Sequence, residues 1–425
     1  MRSLWLRGIA MKTFIFIYNV VAIKANLYEV NFPQNSKFIL IGSDYCIRKL
    51  SEKNKSFFNQ IHRIERNFHQ ADVEAVEQIL LTYLQENQPE NIILLSNEDS
   101  TQITCALLRE KYGLPGNQTK KILPYVNKKI SKEKLTSELT VPRHQLFNKS
   151  AYTNNRREYC RQLAHELKFP MFIKPIDLVS SIETYFIPDE QSLELVLMQI
   201  IHKPYEYEID EFIQGDLYHC DLVLAEENTV FFMAGLYANP LAQFSKGKPM
   251  GSIPVADQSF LSDLQSYCEK IIHCLGRFSS AFHIEVFQRH ETGEFVFLEA
   301  AARTPGALVP EMYELMYNNH LEKMHYEAQI SPQELKPVYP TDKHAGWITY
   351  PQMSGTINEI IFPEIKIAHQ LIQHVAPGDR IEQAASLLDS SCSVLFWDES
   401  HHRLTELFCA LKKHQPLVLS EDNLE

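Results

Sequence analysis

The residues whose types and spacing could do chemistry cluster in one stretch, His283 to Gly306, which reads HIEVFQRHETGEFVFLEAAARTPG. Ile284, Val286, Val296 and Leu298 place apolar side chains at every second position. Glu291-Thr-Gly293 supplies a turn with glycine where a positive φ is needed. The spacing predicts a β-hairpin with a three-residue loop closing on His290 and Glu294, which sets Glu285 directly opposite Glu299 on one face. Opposed carboxylates repel, so such a pair wants a proton or a cation between them. Mg²⁺ suits two oxygen ligands that leave its other positions to water and phosphate oxygens, and Mn²⁺ accepts the same set. Arg303, four residues past Glu299, is then placed to meet a transferring phosphoryl group or an oxyanion. On this stretch alone, a solvated strand face carrying two glutamates explains the residues equally well.

The elements that must position these groups run in order along the chain. Phe14–Ile23, Phe38–Gly42 and Ile92–Ser96 read as strands, and Val73–Glu86 and Ser100–Tyr112 as helices. This alternation predicts an open α/β domain with a parallel sheet over residues 11–120. No GxGxxG follows the first strand, which argues against a dinucleotide fold. The lysine-rich stretch Tyr125–Lys134 reads first as a solvated helix face, with room for one lysine to reach a phosphate. Met171-Phe-Ile-Lys-Pro175 is an apolar strand ending in Lys174, either an edge charge or a phosphate contact. The loop after it lacks glycine but offers the Ser180 and Ser181 hydroxyls and backbone N–H groups. Tyr207–Ile213, Leu217–Ala225 and Thr229–Leu236 read as antiparallel strands, and Ser259–Leu275 as a core helix. His401-His402 reads as an exposed turn rather than a metal site.

Composition bounds the function. At 425 residues the chain suggests two or three domains, and 45% hydrophobic with 22% charged residues is ordinary for a soluble globular protein. A formal net charge of −12 argues against a nucleic-acid partner. Eight cysteines lie scattered without zinc-ligand spacing, which fits the cytoplasm best. Arg2, Arg7 and Lys12 ahead of the apolar run Phe14–Ile23 resemble a signal peptide, but Asn19 interrupts the run, which reads better as a buried strand, with Met11 an alternative start. No window is long enough to span a membrane.

Taken together, residues Leu123 to Leu321 resemble the ATP-grasp superfamily of ATP-dependent ligases. Lys128 in Val-Asn-Lys-Lys and the following Val141-Pro142 resemble the first phosphate-contacting lysine and the strand after it. Lys174 in Phe-Ile-Lys-Pro resembles the second lysine. Asp210-Glu-Phe-Ile-Gln-Gly-Asp216 is similar to the hinge strand, whose backbone around Glu211, Phe212 and Ile213 holds adenine in the family. Glu285, Glu299 and Arg303 match its metal-binding acids and phosphate-contacting arginine. Three departures stand out. The phosphate loop Asp177–Glu183 has no glycine, Leu217 replaces the ribose-binding glutamate with Asp216 as the nearest substitute, and Ala301 replaces the asparagine two residues past the second metal acid.

Glu299-Ala-Ala-Ala-Arg303 is most similar to the branch containing L-amino-acid (dipeptide) ligases. Ala345-Gly-Trp-Ile-Thr-Tyr, Ser354-Gly-Thr-Ile, a helical Ile365–His374 and Pro377-Gly-Asp resemble that branch's C-terminal lobe. The resemblance implies a multidomain α/β and α+β architecture. An N-terminal open α/β domain (11–120) would precede a central ATP-grasp domain of two α+β lobes (121–325, with a lid at about 171–210) and a small β-rich C-terminal lobe (326–425). It further implies ATP and Mg²⁺, small-molecule carboxylate and amine substrates, no membrane partner, and a chain that could form a homodimer. The implied reaction joins an amino acid to an amine or second amino acid through an acylphosphate. A carboxylase-type ATP-grasp reaction and a non-catalytic nucleotide-binding protein are its rivals.

Overall fold

The computed structural model describes residues 11–178 and 182–420. Near the N-terminus, β1 (Lys12–Tyr18), β2 (Ser36–Ser43), β3 (Gln60–Ile64) and β4 (Ile92–Leu95) form a parallel sheet in the order β3-β2-β1-β4. β1 is apolar on both faces because both are covered. Phe14, Phe16 and Tyr18 enter one core with Leu27, Leu40 and Phe58, while Ile15 and Ile17 enter another with Val76, Leu80 and Leu108. Helices Val73–Leu84 and Asp99–Tyr112 supply the second cover; Asp72 caps the first, and Gly113 in the left-handed region ends the other. β1 stops at Tyr18, not Ile23, because the Asn19, Val20 and Val21 N–H groups turn inward to the buried Glu98 carboxylate.

The second unit is a small antiparallel sheet of β5 (His144–Leu146), β6 (Met171–Pro175), β7 (Tyr185–Ile187) and β8 (Tyr207–Glu211), ordered β5-β8-β6-β7. Helices Arg156–Leu167 and Glu190–Ile200 pack Leu163, Leu167, Leu193 and Leu197 against it. This lobe therefore begins at His144, well before the expected 171, since β5 pairs with β8 and the helix following it is part of the same core.

The third unit is an eight-stranded sheet. β9 (Gly215–Ala225), β10 (Asn228–Tyr237), β11 (Met250–Pro254), β12 (Ser280–Arg289), β13 (Phe295–Ala301) and β14 (His344–Pro351) carry most of it. A three-stranded sheet of β15 (Gly355–Ile360), β17 (Arg380–Ile381) and β19 (Leu417–Ser420) lies apart, while β16 (Ala368–Gln373) and β18 (Ser390–Asp398) complete the order β13-β12-β9-β10-β11-β14-β18-β16. The C-terminal segment thus continues the central sheet through β14 instead of standing alone. Two local expectations are overturned here. Ile365–His374 contains a strand, because β16 pairs along β18 from Ala368 to Gln373, and His401-His402 opens a helix, His401–Lys413, capped by Ser400. Helix Gln258–Leu275 buries Leu264, Cys268, Ile271 and Leu275 under β9 and β12, which stiffens the strands that carry the site.

Candidate functional site

The hairpin of β12 and β13 does bring Glu285 opposite Glu299, but by a different path from the one its sequence suggests. Gln288 faces Phe295 and the Arg289 N–H bonds to the Glu294 carbonyl, so the loop is four residues, His290 to Gly293, one longer than expected. Glu285 faces Glu299 while Val286 faces Phe297, which leaves Leu298 as an extra bulge residue that shifts the register back. The two deviations cancel, and the carboxylates share a face.

Around this pair the structure gathers three cations. Lys128, at the start of helix Lys128–Leu135, places Nζ 3.8 Å from Glu299 Oε2 and donates to the Leu178 carbonyl at 2.7 Å. Arg303 donates Nε to Asp99 Oδ2 at 2.6 Å and Nη1 to the Thr304 carbonyl at 2.9 Å. Burial alone would lower the Arg303 pKa, but Asp99 first, then Glu299 and Glu285, hold it up. Lys174, at the end of β6, lies 3.3 Å from Asp210 Oδ2 and 3.4 Å from Glu208 Oε1. Its burial is likewise outweighed by Asp210, Glu208 and Glu299, so its ammonium stays charged.

A buried network holds Glu285 from behind. Asp221 on β9 accepts from His219 Nδ1 (2.6 Å), His283 Nδ1 (2.7 Å) and the Tyr313 hydroxyl (2.8 Å), and His219 Nε2 lies 2.8 Å from Ser252 Oγ. Burial would raise the Asp221 carboxyl, but the two imidazoles hold it far below its usual range; in return Asp221 outweighs burial at His283 and pushes it up to about 9. His283 Nε2 is 3.7 Å from Glu285 Oε1, and His283 first, with Tyr237 beside it, holds the Glu285 carboxyl below its usual range despite burial.

The other residues singled out in the sequence are placed as follows. Asp210 is turned into the lid, 2.6 Å from Lys132 Nζ. The Glu211 carboxylate is taken by Arg143 (2.8 Å) and Arg289 (2.6 Å). At the hinge both therefore have only backbone to offer, next to Phe212 and Ile213. Asp216 is half exposed, 3.3 Å from His290. Ser180 and Ser181 lie outside the described residues. A cavity of about 210 Å³ opens beside Lys128, Glu299 and Arg303, bounded by Asp99 and Ile103 of the N-terminal unit and by Asp177. Its floor includes Ala301, which brings no donor atom. Among the described residues no group of three or more acids, histidines and cysteines converges as a metal cage. Two carboxylates alone fit a hard cation that keeps water or phosphate oxygens, and not a zinc-type site.

The family model described as the D-ala D-ala ligase C-terminus matches residues 135–330, a span that takes in the lid, the hinge and the Glu285–Glu299 hairpin. Among solved structures, the L-amino acid ligase from Bacillus licheniformis superposes with a TM-score of 0.68 at 14% identity, over 96% of this chain and 99% of that one. This chain has the ATP-grasp fold. Phosphoribosylglycinamide synthetase from Anaerococcus prevotii (TM-score 0.62, 16% identity, 97% of this chain and 100% of that one) shares it. So does N5-carboxyaminoimidazole synthetase from Staphylococcus aureus (0.62, 14%, 94% and 96%). A search of curated protein sequences finds no match. At such identities the likeness fixes the ATP-grasp architecture, and the chemistry has to come from the side chains.

Sequence reasoning missed Lys132, Glu208, Asp99 and the Asp221 network. The signals were faint: Lys132 lies one helical turn from Lys128, Glu208 and Asp210 share a strand face, and so do His219 and Asp221. Each pattern is also what a solvated surface would show.

Proposed function

We propose that this chain is an ATP-dependent carboxylate–amine ligase that releases ADP and phosphate and joins an amino acid to an amine or a second amino acid. The observation that carries the reading is the placement of Lys128, Glu299 and Arg303 on the wall of one cavity, with Glu285 facing Glu299 across the hairpin and Lys174 within the field of Glu299. Similarity in fold to an L-amino acid ligase supports it, as does similarity to a 2-oxoglutarate carboxylase biotin carboxylase domain from Hydrogenobacter thermophilus solved with its magnesium ADP salt.

A carboxylate resists an amine because its leaving group would be oxide, and phosphorylation replaces that with phosphate. The protein's task is therefore positioning and charge neutralisation. Lys174 and Lys128 would offset phosphate charge, and backbone groups from Glu211 to Ile213 would hold the base. Glu285 and Glu299 would hold Mg²⁺, which when bound neutralises phosphate oxygens. Arg303 would move its guanidinium from Asp99 to the acyl phosphate oxygens or the tetrahedral oxyanion. A cavity of about 210 Å³ accepts one small acid at a time.

The test is phosphate release from MgATP while pools of L-amino acids are added to the purified chain. Release that depends on particular amino acids is expected. Tight ATP binding without release under any pool would favour the non-catalytic reading, to which Ala301 and the glycine-free loop lend support.

A further inference from the structure

Lys132 has no exposed side-chain surface, yet it is a cation. It lies 2.6 Å from Asp210 Oδ1 and 3.1 Å from Glu208 Oε1, and the same two acids face Lys174 at 3.3 and 3.4 Å. The result is a ring of two lysines and two carboxylates between helix Lys128–Leu135 and strands β6 and β8, with opposite charges in equal number. Packing would not require it, because apolar side chains of the same volume usually serve stability as well or better.

The distances within the ring are unequal. Lys132 makes the shorter contact to each carboxylate, and Lys174 the longer. Lys174 is also the more exposed of the two lysines, with 7% of its side chain open to solvent against none for Lys132. The arrangement therefore ties Lys132 by a hydrogen bond to Asp210 and by charge to Glu208, whose oxygens have no hydrogen-bond partner, and leaves Lys174 the longer contact to each acid. Without Lys132 both carboxylates would be buried against a single ammonium, and they would draw Lys174 inward.

We infer that Lys132 is a positioning residue for nucleotide binding: it occupies Glu208 and Asp210 so that Lys174 can release them and take phosphate oxygens. The inference rests on the nucleotide reading above and adds a residue to it that cannot itself touch the nucleotide. It also gives helix Lys128–Leu135 a double role. Lys128 at its first turn faces Glu299 of the large sheet, while Lys132, one turn on, is tied to the lid, so one short helix registers the two lobes against each other.

The test is calorimetric titration of the full chain with the magnesium complex of a non-hydrolysable ATP analogue, without amino acids. Lys132→Met should weaken binding about ten- to a hundredfold, the worth of a charge-assisted hydrogen bond, while Lys132→Arg, which keeps the charge, should recover most of it. The effect must pass through Lys174: Lys132→Met should cost nothing further in a Lys174→Met background. Where Lys132→Met alone does not fold, the comparison is made in the Glu208→Gln background. There the double variant keeps one buried acid against one buried lysine, and the same weakening is expected. Unchanged affinity on losing Lys132, or a loss that adds fully to that of Lys174→Met, would overturn the inference and leave the nucleotide reading intact. A wild-type chain that binds no nucleotide would overturn both.

Discussion

Two pairs of carboxylates lie on sheet faces of this chain, and they are treated in opposite ways. Glu208 and Asp210, two apart on β8, are buried with two lysines set between and around them. Glu285 and Glu299, opposite each other on β12 and β13, meet their cations only at longer range: Lys128 lies 3.8 Å from Glu299, His283 lies 3.7 Å from Glu285, and Arg303 is turned to Asp99. Glu299 keeps 38% of its side chain exposed, while Glu208 has none. The first pair is neutralised by lysines of the fold itself, and the second is where an external cation and the phosphates it carries would complete the charge count.

The sharpest way to break this contrast is to remove one acid from each pair. Glu208→Ala leaves buried lysine charge uncompensated and should cost about 3–5 kcal/mol of stability, whereas Glu299→Gln, part-exposed with Lys128 only at 3.8 Å, should stay within about 0.5 kcal/mol. Urea unfolding of the two variants decides it; equal losses would mean that the two pairs are not different in kind. Activity should rank the other way. Glu299→Gln, and Arg303→Lys, which keeps the charge but not the planar fork, should each lower amino-acid-dependent phosphate release by about 10²–10³. Retained turnover in Arg303→Lys with an unchanged melting temperature would remove Arg303 from the chemistry.

A buried titratable group with no counter-ion tests the same logic from the other side. His325 donates Nε2–H to the Ser96 carbonyl (2.8 Å) and accepts the Ala281 N–H at Nδ1 (3.2 Å), so it joins the N-terminal unit to the large sheet as a neutral ring. Burial pulls its pKa from 6.5 down to about 4. With the folded pKa below the unfolded one, its contribution is complete above pH 6.5 and is lost as pH falls toward 4. Over that window it is worth about 3 kcal/mol. His325→Gln should flatten this part of the stability profile, followed by chemical denaturation at each pH; an unchanged slope would place the acid sensitivity elsewhere.

Much of this was legible in the residues. The facing of Glu285 and Glu299 is legible because apolar alternation in the hairpin fixes direction, and Lys174 stands out as the charge ending an apolar strand, whereas Lys128 is singled out of its lysine-rich stretch only by the family resemblance. The pairing of the two glutamates was reached with a loop one residue too short and no bulge, since sequence alternation constrains which face a side chain takes more firmly than it constrains loop length. β3 went unseen because Gln60–Ile64 buries only Ile64 and its alternation is no stronger than that of a surface segment. Ile365, Ala368 and Ile372 fit a helical stripe as well as a strand, and only β18 beside β16 settles the backbone. Lys132 and Asp221 were invisible for a different reason. A charged residue reads as surface until a partner distant in sequence is seen to bury it, and the distant partners lie 62 to 92 positions away.

The smallest expected effect separates the two pairs most cleanly. Gly235 on β10 faces His219 across the ladder, and a Cβ there would meet His219 Nε2 at 2.2 Å. Alanine therefore cannot be added without displacing the imidazole, and His219 is fixed through Asp221 to His283 and so to Glu285. Gly235→Ala should cost about 1–3 kcal/mol by overpacking, and it should raise the Mg²⁺ concentration needed for half-maximal turnover. It touches nothing in the lid, so affinity for nucleotide without metal should not change. Gly306→Ala, with open space around its Cβ and no positive φ, is the control that should leave stability in place. If Gly235→Ala weakened metal-free nucleotide binding as much as it raised the Mg²⁺ requirement, the lid cluster and the hairpin pair would be one coupled device, and the division between a pair neutralised by the fold and a pair left for an external cation would fall.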